Sequence, residues 1–426
     1  MEKLYGLVGK KLSHSPSPFV HDRFAKSVGI LNYNYQKFEL SEDMLEDFFK
    51  NPDFGGVNIT IPYKVAVMKY CDKISDIAKE IGCVNLIYSK NGKLYGDNCD
   101  YYGLKKTFVL KKIIVKDKKV LILGTGGTSL TSYVFCKNQE AKEIQKVSRR
   151  GKLNYENIYD QSDTEIIINT TPSGMYPDNE QTLIDLSKFP KLYAVVDVVP
   201  NPLKTRLILQ AEKLGLKFSG GLPMLVYQAK KGAEILMGIK QISDETVNET
   251  LEALVKINQN IILIGMPGCG KTSVGNMLKD IFYHEIAPKE LVDIDDEIEK
   301  QEKISIPDIF AAKGEEYFRF IEKECVSKFG KEHGLIISTG GGTIIDHENI
   351  LNLKQNGVIF YIKRNIADLE QSGRPLSKNL SEIEKIYNQR ASLYEKSADF
   401  IVDNNSDIKS AAEKIFKIYK NITSSF

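Results

Sequence analysis

The stretch GMPGCGKTS, from Gly265 to Ser273, fits the pattern G-x-x-x-x-G-K-[ST]. In such a loop, backbone amides wrap a row of phosphates, the lysine reaches the outer phosphates and the next hydroxyl binds Mg²⁺. The apolar run IILI precedes the loop and a helical pattern follows it, which is the context that the motif requires. We therefore expect Lys271 to contact ATP phosphates and Thr272 to bind Mg²⁺.

A second glycine-rich turn, LILGTGGTS, lies in the first half of the chain. Gly124 and Gly126 fit the first two glycines of the dinucleotide-binding fingerprint, and Ser129 stands where the third is expected. About 20–25 residues further on, an acidic residue would bind a ribose hydroxyl. The chain has Arg149 and Arg150 there, which suit a 2′-phosphate and favour NADP over NAD. The alternatives are an ordinary strand-to-helix turn and a solvated basic turn.

Three polar stretches of the first half could bind or protonate a small ligand. SHSPSP offers the Ser15 and Ser17 hydroxyls on proline-stiffened backbone, although such a pattern is often only a turn. VNITIPYK ends in Lys64, and YGDNCD holds Asp97 and Asp100. A lysine and an aspartate at one site could relay the proton that accompanies hydride transfer, whereas an isolated Lys64 is more often a surface residue.

Acidic residues follow the phosphate loop. Asp293 and Asp295 are two apart in LVDIDDEIEK, and at the end of a strand they would face the same side. One could serve Mg²⁺ through water and the other a hydroxyl acceptor. The alternative is an acidic helix start, because carboxylates are favoured in the first turn.

The second half also contains arginines and a run of glycines that could contact a ligand. Arg319 and Glu322 are spaced i, i+3 on a helix, where a surface ion pair is the simpler interpretation. Three glycines, 340–342, let backbone approach a ligand closely. Arg374 lies in a polar loop-like stretch and Arg390 on a helix.

Strand and helix patterns alternate along most of the chain, which predicts an α/β fold with parallel sheets. The Asn91-Gly92 pair predicts a hairpin. Apolar residues recur on one stripe of the helical stretch DETVNETLEALV, at Val247, Leu251, Leu254 and Val255. The following KINQN reads as a short polar joint, and we place the main boundary near residue 257.

The composition is that of a globular protein with more than one domain. The chain has 426 residues, is 42% hydrophobic and carries a net charge of +2, so nothing indicates a nucleic-acid partner. Its six cysteines are scattered, its beginning lacks a signal pattern, and no apolar run reaches the ~18 residues that span a bilayer. We expect a cytoplasmic protein that binds small molecules and no membrane.

Taken together, residues 1 to 256 resemble shikimate dehydrogenase. The motifs that carry the resemblance occur in the family's order: SHSPSP, NITIPYK, GCVN, GDNCD, GTGGTS, INTTPSG, DVVPNP and GLPMLVYQA. The resemblance implies Lys64 and Asp100 as the catalytic pair and NADPH as the reductant of 3-dehydroshikimate. It implies a substrate-binding set of Ser15, Ser17, Asn58, Thr60, Asn85 and Gln228. It implies a cofactor-binding set of Gly124, Gly126, Gly127, Ser148, Arg149, Arg150 and Gly221.

Two residues depart from that family's pattern. Cys99 precedes the implied catalytic aspartate where the family usually has threonine, and a thiol is the weaker hydrogen-bonding group. Pro200 stands where the family often has tyrosine.

Residues 257 to 426 resemble shikimate kinase, through GMPGCGKT, DID, FRFIE, GGG, RPL and RASLY. The resemblance implies that Asp295, Arg319, Gly341 and Arg390 hold shikimate and that Arg374, on a lid, meets the transferring phosphoryl group. Lys271 and Asp295 would be catalytic, and Thr272 and Asp293 would serve Mg²⁺. The implied ATP-binding residues are Gly268, Gly270, Lys271, Thr272 and Ser273.

The two resemblances predict a bifunctional enzyme of consecutive steps, which makes shikimate with NADPH and phosphorylates it with ATP. Three domains are predicted. The first is an α/β substrate-binding domain, 1–103, which helices from about 222–256 complete. The second is a Rossmann NADP-binding domain, 104–221, and the third is a P-loop kinase domain with a parallel sheet, 257–426. One alternative is a quinate-type, NAD-dependent dehydrogenase fused to a kinase for another small polyol. Another is a regulatory protein with one inactive half, which Cys99 and Pro200 would favour.

Overall fold

A computed structural model of the chain describes residues 4–13, 15–50, 52, 54–369 and 380–424. The chain divides into two compact units. Unit 1 comprises Met1–Asn201 and Gln210–Leu251, and unit 2 comprises Pro202–Leu209 and Glu252–Phe426. Within the described residues, no helix is both long enough and apolar enough to cross a membrane.

The first sheet of unit 1 is mixed, with strand order β2-β1-β3-β5-β6-β4. Its strands are β1 (Tyr5–Gly9), β2 (Tyr35–Glu39), β3 (Gly56–Ile59), β4 (Lys73–Ile74), β5 (Leu86–Lys90) and β6 (Lys93–Asp97). The helices along this part of the chain are α1 (Ser17–Ser27), α2 (Leu45–Lys50), α3 (Asp76–Ile81) and α4 (Cys99–Leu110). Asn91 and Gly92 join β5 to β6 with φ of 53° and 72°, which confirms the predicted hairpin.

The second sheet of unit 1 is wholly parallel, with strand order β11-β10-β9-β7-β8. Its strands are β7 (Lys119–Leu123), β8 (Glu143–Val147), β9 (Ile166–Asn169), β10 (Ala194–Asp197) and β11 (Lys217–Ser219). The helices along this part of the chain are α5 (Gly127–Asn138), α6 (Arg206–Lys213), α7 (Leu222–Met237) and α8 (Asp244–Asn258), and α6 and α8 each contribute residues to both units. The strand order reverses between β7 and β9, and ligands of such sheets bind beyond the carboxyl ends of the strands at that point.

Helices α4 and α7 pack closely because a glycine lies at their contact. A Cβ built on Gly103 of α4 would lie 2.6 Å from the Met224 carbonyl oxygen of α7. The close contact matters for function, since α4 carries Asp100 and α7 carries Gln228.

Unit 2 is built on a parallel sheet with strand order β13-β14-β12-β15-β16. Its strands are β12 (Asn260–Ile264), β13 (Glu290–Asp293), β14 (Leu335–Ser338), β15 (Gly357–Lys363) and β16 (Phe400–Asp403). The helices are α9 (Lys271–Phe282), α10 (Ile294–Glu302), α11 (Ile306–Gly330), α12 (His347–Asn356), α13 (Leu380–Ser397) and α14 (Ile408–Thr423). The central strand β12 is fully buried, as the apolar run IILI predicts.

The predicted helical stripe at α8 is confirmed, because all four of its apolar residues are buried. The predicted polar joint KINQN is wrong. Helix α8 continues to Asn258, and after Gln259 the strand β12 begins directly at Asn260. The Asn260 side chain is fully buried; its amide donates to the Glu332 carbonyl (2.9 Å) and accepts from the Leu335 N–H (2.8 Å). These polar residues therefore serve the interior, not a solvated linker.

We expect Asn260→Ala to destabilise unit 2 by about 2 kcal/mol, because it leaves a backbone donor and a backbone acceptor without their partner. Asn258→Ala is the matched control, since the Asn258 side chain donates only to Leu254 of its own helix. Differential scanning calorimetry of both variants measures the effect. Equal melting temperatures for the two variants would contradict the expectation.

Candidate active sites

Lys64 and Asp100 form a largely buried ion pair in unit 1. The Lys64 Nζ lies 2.6 Å from the Asp100 Oδ2, and the two side chains are 13% and 8% exposed. Lys64 lies in the turn after β3, and Asp100 in the first turn of α4, where Asn98 caps the helix by accepting from the Tyr101 N–H. Asp100 thus lies at the N-terminus of α4, where the helix dipole attracts an acidic side chain.

The glycine-rich turn after β7 directly adjoins this pair. A Cβ on Gly127 would lie 3.3 Å from the Lys64 Cβ, so the start of α5 touches the lysine. Gly124 has φ of +110° and packs against Thr170, where a side chain would not fit. The Ser129 hydroxyl, in place of the third fingerprint glycine, donates to the Gly124 carbonyl (2.7 Å) and closes the turn. The turn and the following helix N-terminus thus have the form that accommodates a pyrophosphate.

The other predicted cofactor residues lie along unit 1 as follows. Ser148, Arg149 and Arg150 follow β8, and both arginine side chains are exposed. Gly126 is the N-cap of α5. Gly221 precedes α7, and a Cβ there would lie 2.3 Å from the Val198 carbonyl oxygen, so close packing requires glycine.

Two asparagines of unit 1 have their amide orientation set by the protein. The Asn85 Oδ1 accepts from the Cys99 backbone N–H at 2.6 Å, and the Asn58 Oδ1 accepts from the Tyr35 hydroxyl at 2.8 Å. With each oxygen occupied, the NH₂ group is the part left to contact a ligand. The Asn58 Nδ2 is buried and has no hydrogen-bond partner in the described part of the chain.

The contact to Asn85 shows what the unusual Cys99 does. It is the backbone N–H of Cys99 that bonds Asn85, and any residue except proline could supply it. The thiol is buried, and burial raises its pKa well above the ordinary value, so it stays neutral. Nothing in the structure explains why proline stands at position 200, where the family often has tyrosine.

The remaining predicted substrate residues of unit 1 come from three elements. The Ser15 and Ser17 hydroxyls lie 3.1 Å apart at the start of α1. Thr60 follows β3, and its N–H donates to the Val8 carbonyl. Gln228 lies on α7 and packs against Gly103, which is one turn after Asp100 on α4. The Gln228 side-chain NH₂ donates to the Leu225 carbonyl of its own helix.

The phosphate-loop pattern in unit 2 forms a turn between β12 and α9. Gly268 and Gly270 have φ of 80° and 93°, which only glycine adopts readily. Lys271 opens α9, and its Nζ donates to the Gly265 and Met266 carbonyls at 3.1 and 3.2 Å. Ser273 lies in the first turn of the same helix.

Oxygen groups meet beside this loop in a way that suits Mg²⁺. The Thr272 hydroxyl donates to the Asp293 Oδ2 at 2.6 Å, and the Ser338 hydroxyl lies 3.4 Å from the Thr272 hydroxyl. Mg²⁺ prefers hard oxygen ligands and keeps several waters, so a hydroxyl and a carboxylate are a fitting donor set. Sequence reasoning missed Ser338, although a polar residue that ends the buried strand β14 was the available signal.

The predicted placement of Asp295 on a strand end is wrong. Strand β13 ends at Asp293, which caps α10, and Asp295 lies in the first turn of that helix. The acidic helix start that we weighed as an alternative is therefore the correct local structure. The Asp295 Oδ1 is nevertheless buried and has no hydrogen-bond partner among the described residues. Burial, with the charges of Asp293 and Glu322, raises the pKa of Asp295 to about 7.

The pair Arg319–Glu322 is not a surface ion pair. The Arg319 Nη1 lies 2.6 Å from the Glu322 Oε2, and Glu322 is fully buried, with its other oxygen accepting from the Thr343 hydroxyl (2.6 Å). The glycine run lies against these groups: a Cβ on Gly342 would meet the Arg319 guanidinium at 2.4 Å, and one on Gly340 would lie 2.8 Å from the Asp295 Oδ1.

Arg390 reaches the same glycine run from α13. Its Nη1 donates to the Gly341 carbonyl at 3.0 Å, and the buried Tyr394 hydroxyl donates to the same oxygen. Two guanidinium groups and the Asp295 carboxyl thus surround residues 340–342. The predicted residue Arg374 lies outside the described residues.

Asn404 braces the phosphate loop, and the motifs did not reveal it. Its side-chain NH₂ donates to the Cys269 carbonyl at 2.7 Å, and the residue is 4% exposed. A cleft of about 520 Å³ opens nearby, lined among others by Arg364, Tyr387 and Asn405. The polar residues that follow β16 were the signal that could have located this side of the loop.

Comparison with known proteins agrees with this division of sites. The family profile described as "Shikimate dehydrogenase substrate binding domain" matches residues 7–87, and the profile "Shikimate kinase" matches residues 267–420. The NADP⁺-dependent shikimate dehydrogenase of Clostridium beijerinckii is 38% identical over 248 residues, which are 55% of this chain and 91% of that protein.

Two solved structures resemble the same part of the chain. Shikimate dehydrogenase 1 from Peptoclostridium difficile has a TM-score of 0.55 and 34% identity, covering 58% of this chain and 96% of that one. A chorismate mutase/shikimate 5-dehydrogenase fusion protein from Clostridium acetobutylicum has a TM-score of 0.56 and 34% identity, with 60% and 97% covered. This chain belongs to the shikimate dehydrogenase family, and it carries a shikimate kinase domain as well. The predicted bifunctional enzyme, with NADP and ATP as its cofactors, is thereby confirmed.

We expect Asn404→Ala to raise the KM for ATP about five- to tenfold, because the Cys269 carbonyl loses its donor and the loop is no longer held in one conformation. Steady-state kinase assays at varied ATP measure the effect. Shikimate oxidation by the same preparation is the control and should not change. An unchanged KM for ATP would show that the loop does not depend on Asn404.

Proposed function

We propose that unit 1 reduces 3-dehydroshikimate to shikimate and that unit 2 phosphorylates shikimate to shikimate 3-phosphate. For the first reaction, the observation that carries the proposal is the buried Lys64–Asp100 pair, which adjoins the dinucleotide turn at Gly127. For the second, Arg319, Arg390 and Asp295 surround the glycine run of the unit that holds the phosphate loop.

In the first site, bound NADPH supplies the hydride to the substrate's keto carbon. Lys64 has three N–H donors, and one of them is held by Asp100. A second N–H would contact the keto oxygen and give it a proton as negative charge develops there. Asp100 keeps the Lys64 ammonium aimed at the substrate, because their partial burial strengthens the attraction between them.

Neutral donors would bind the rest of this substrate. The Ser15 and Ser17 hydroxyls suit its carboxylate, and the NH₂ groups of Asn58 and Asn85 suit its hydroxyl oxygens. Thr60 and Gln228 complete the proposed set. Arg149 and Arg150, exposed after β8, would pair the cofactor's 2′-phosphate.

In the second site, ATP supplies the phosphoryl group and Mg²⁺ offsets its charge. Thr272 and Asp293 would hold the metal ion, and Lys271 would release the loop carbonyls and bind the outer phosphates. The guanidinium groups of Arg319 and Arg390 would hold the acceptor's carboxylate, for which their planar fork is suited. Asp295 would accept the hydrogen of the attacking hydroxyl, and its buried Oδ1, which has no hydrogen-bond partner among the described residues, favours that role.

A one-pot reaction with 3-dehydroshikimate, NADPH, ATP and Mg²⁺ tests both assignments on one chain. We expect shikimate 3-phosphate to form and to require both cofactors. Lys64→Met should slow NADPH consumption about 10²- to 10⁴-fold, because the general acid is gone, and leave phosphorylation of added shikimate intact. Lys271→Met should slow phosphorylation about 10²- to 10³-fold, because a cation facing the phosphates is gone, and leave the reduction intact.

Mass spectrometry of the products and absorbance of NADPH provide the two readouts. Each variant is the control for the other, since each should retain the activity that the other loses. If the wild type consumes NADPH but shikimate accumulates, the kinase proposal is overturned. If the wild type consumes no NADPH, the dehydrogenase proposal is overturned.

The raised pKa of Asp295 predicts a pH dependence for phosphorylation. The carboxyl accepts a hydrogen from the acceptor only when it is ionised, so kcat/KM for shikimate should rise as the pH passes upward through about 7. Asp295→Asn should be slow and should lack this rise. Asp296→Asn, at the exposed neighbouring carboxyl, should keep the rise and move it to slightly lower pH, because the charge of Asp296 contributes to the raised pKa of Asp295. A pH profile of the wild type that is flat from 6 to 8 would contradict the assignment.

A further inference from the structure

A stack of aromatic rings lies next to the proposed substrate residues of unit 1. Tyr35 of β2 stacks on His21 of α1 with a centroid distance of 4.0 Å, and Tyr33 stacks on Tyr5 of β1 at 4.6 Å. Tyr33 also lies 6.1 Å from His21, which joins the two pairs. None of these four residues belongs to the motifs from which the site was predicted.

Tyr35 is the member of this stack that touches a proposed substrate residue. Its hydroxyl reaches across β1 and donates to the Asn58 Oδ1 at 2.8 Å, in a buried hydrogen bond. The oxygen and nitrogen of an amide side chain differ little in size, so a bonded donor is what fixes which of them faces a ligand. The Asn58 Nδ2 then lies beside Gly232 of α7, buried and without a partner in the described chain.

The ring of Tyr35 also supports the other side of the site. Ser17 and His21 are four residues apart on α1 and therefore lie on one face of the helix. His21 rests on the Tyr35 ring with an interplanar angle of 16°. Burial lowers the pKa of His21 to about 3 and raises that of Tyr35 well above its ordinary value. Both rings are therefore neutral near pH 7, and the tyrosine keeps its donor.

We infer that Tyr35 is a positioning residue for substrate binding by unit 1. Its hydroxyl orients Asn58 so that the NH₂ group faces the substrate, and its ring supports the α1 helix that carries Ser17. The inference rests on the proposed dehydrogenase function. It gives the hydrogen bond and the stacked ring of one residue separate roles, and these can be tested one at a time.

Tyr35→Phe keeps the stacked ring and removes the donor. The Asn58 amide is then free to turn its oxygen toward the substrate, so the KM for shikimate in NADP⁺-linked oxidation should rise about five- to tenfold. The kcat should change less than twofold, because Tyr35 touches no reacting atom. Tyr33→Phe is the matched control: the Tyr33 hydroxyl is buried and has no partner among the described residues, so its KM should equal that of the wild type.

A double variant separates positioning from a general loss of structure. If Tyr35 acts through Asn58, Tyr35→Phe should add nothing to the KM of Asn58→Ala, whereas independent effects would multiply. The kcat of shikimate oxidation reports on the integrity of unit 1, and phosphorylation of added shikimate by the same chains, which should be unchanged, reports on unit 2.

The outcomes distinguish the inference from the function on which it rests. Three results would overturn the positioning role while shikimate oxidation by the wild type stands. They are an unchanged KM in Tyr35→Phe, multiplied effects on KM in the double variant, and a fall in the kcat of Tyr35→Phe that matches the rise in its KM. A wild type that oxidises no shikimate would overturn the proposed function and the inference together.

Discussion

A polar group buried away from water is costly unless it finds a partner, and both candidate sites depend on this constraint. In unit 1, Lys64 and Asp100 satisfy each other, and Asn85 is satisfied by a backbone N–H of α4. In unit 2, Glu322 is fully buried but paired with Arg319 and Thr343. Among the described residues, the buried Asn58 Nδ2 and Asp295 Oδ1 have no hydrogen-bond partner. These are places where a ligand rich in hydroxyls would restore the missing hydrogen bonds.

Glycine provides the second half of the same arrangement, because a ligand must come close to groups that are otherwise enclosed. Gly127 lets the dinucleotide turn touch Lys64, and Gly340 lets backbone approach Asp295 and Glu322. Gly103 brings α4 against α7. At each of these positions a Cβ would meet a neighbouring residue at 3.3 Å or less. Substitution would therefore displace the very groups that the sites are made of.

The sequence predicted those features whose cause is local. The Asn91-Gly92 hairpin, the buried strand β12 and the stripe of α8 all follow from residues close together in the chain. It failed where the cause is a partner far along the chain. Asn260 looked like linker because its partners lie more than seventy residues away, and Asn404 reaches its loop across 135 positions. Tyr35 gave no functional signal, since tyrosines are ordinary in and beside a strand.

The two sites, as proposed, bind one acid by different physical means, and their chemistry explains why. Unit 1 would surround it with neutral hydroxyl and amide donors and place a cation, Lys64, at the atom where charge develops. Unit 2 must also hold a triphosphate, so a carboxylate nearby would be repelled unless cations offset the charge. Arg319 and Arg390 supply those cations, and Glu322 keeps the first of them oriented. Burial, with the negative charges of Asp293 and Glu322 nearby, raises the pKa of Asp295, because ionisation would add one more negative charge to an enclosed site.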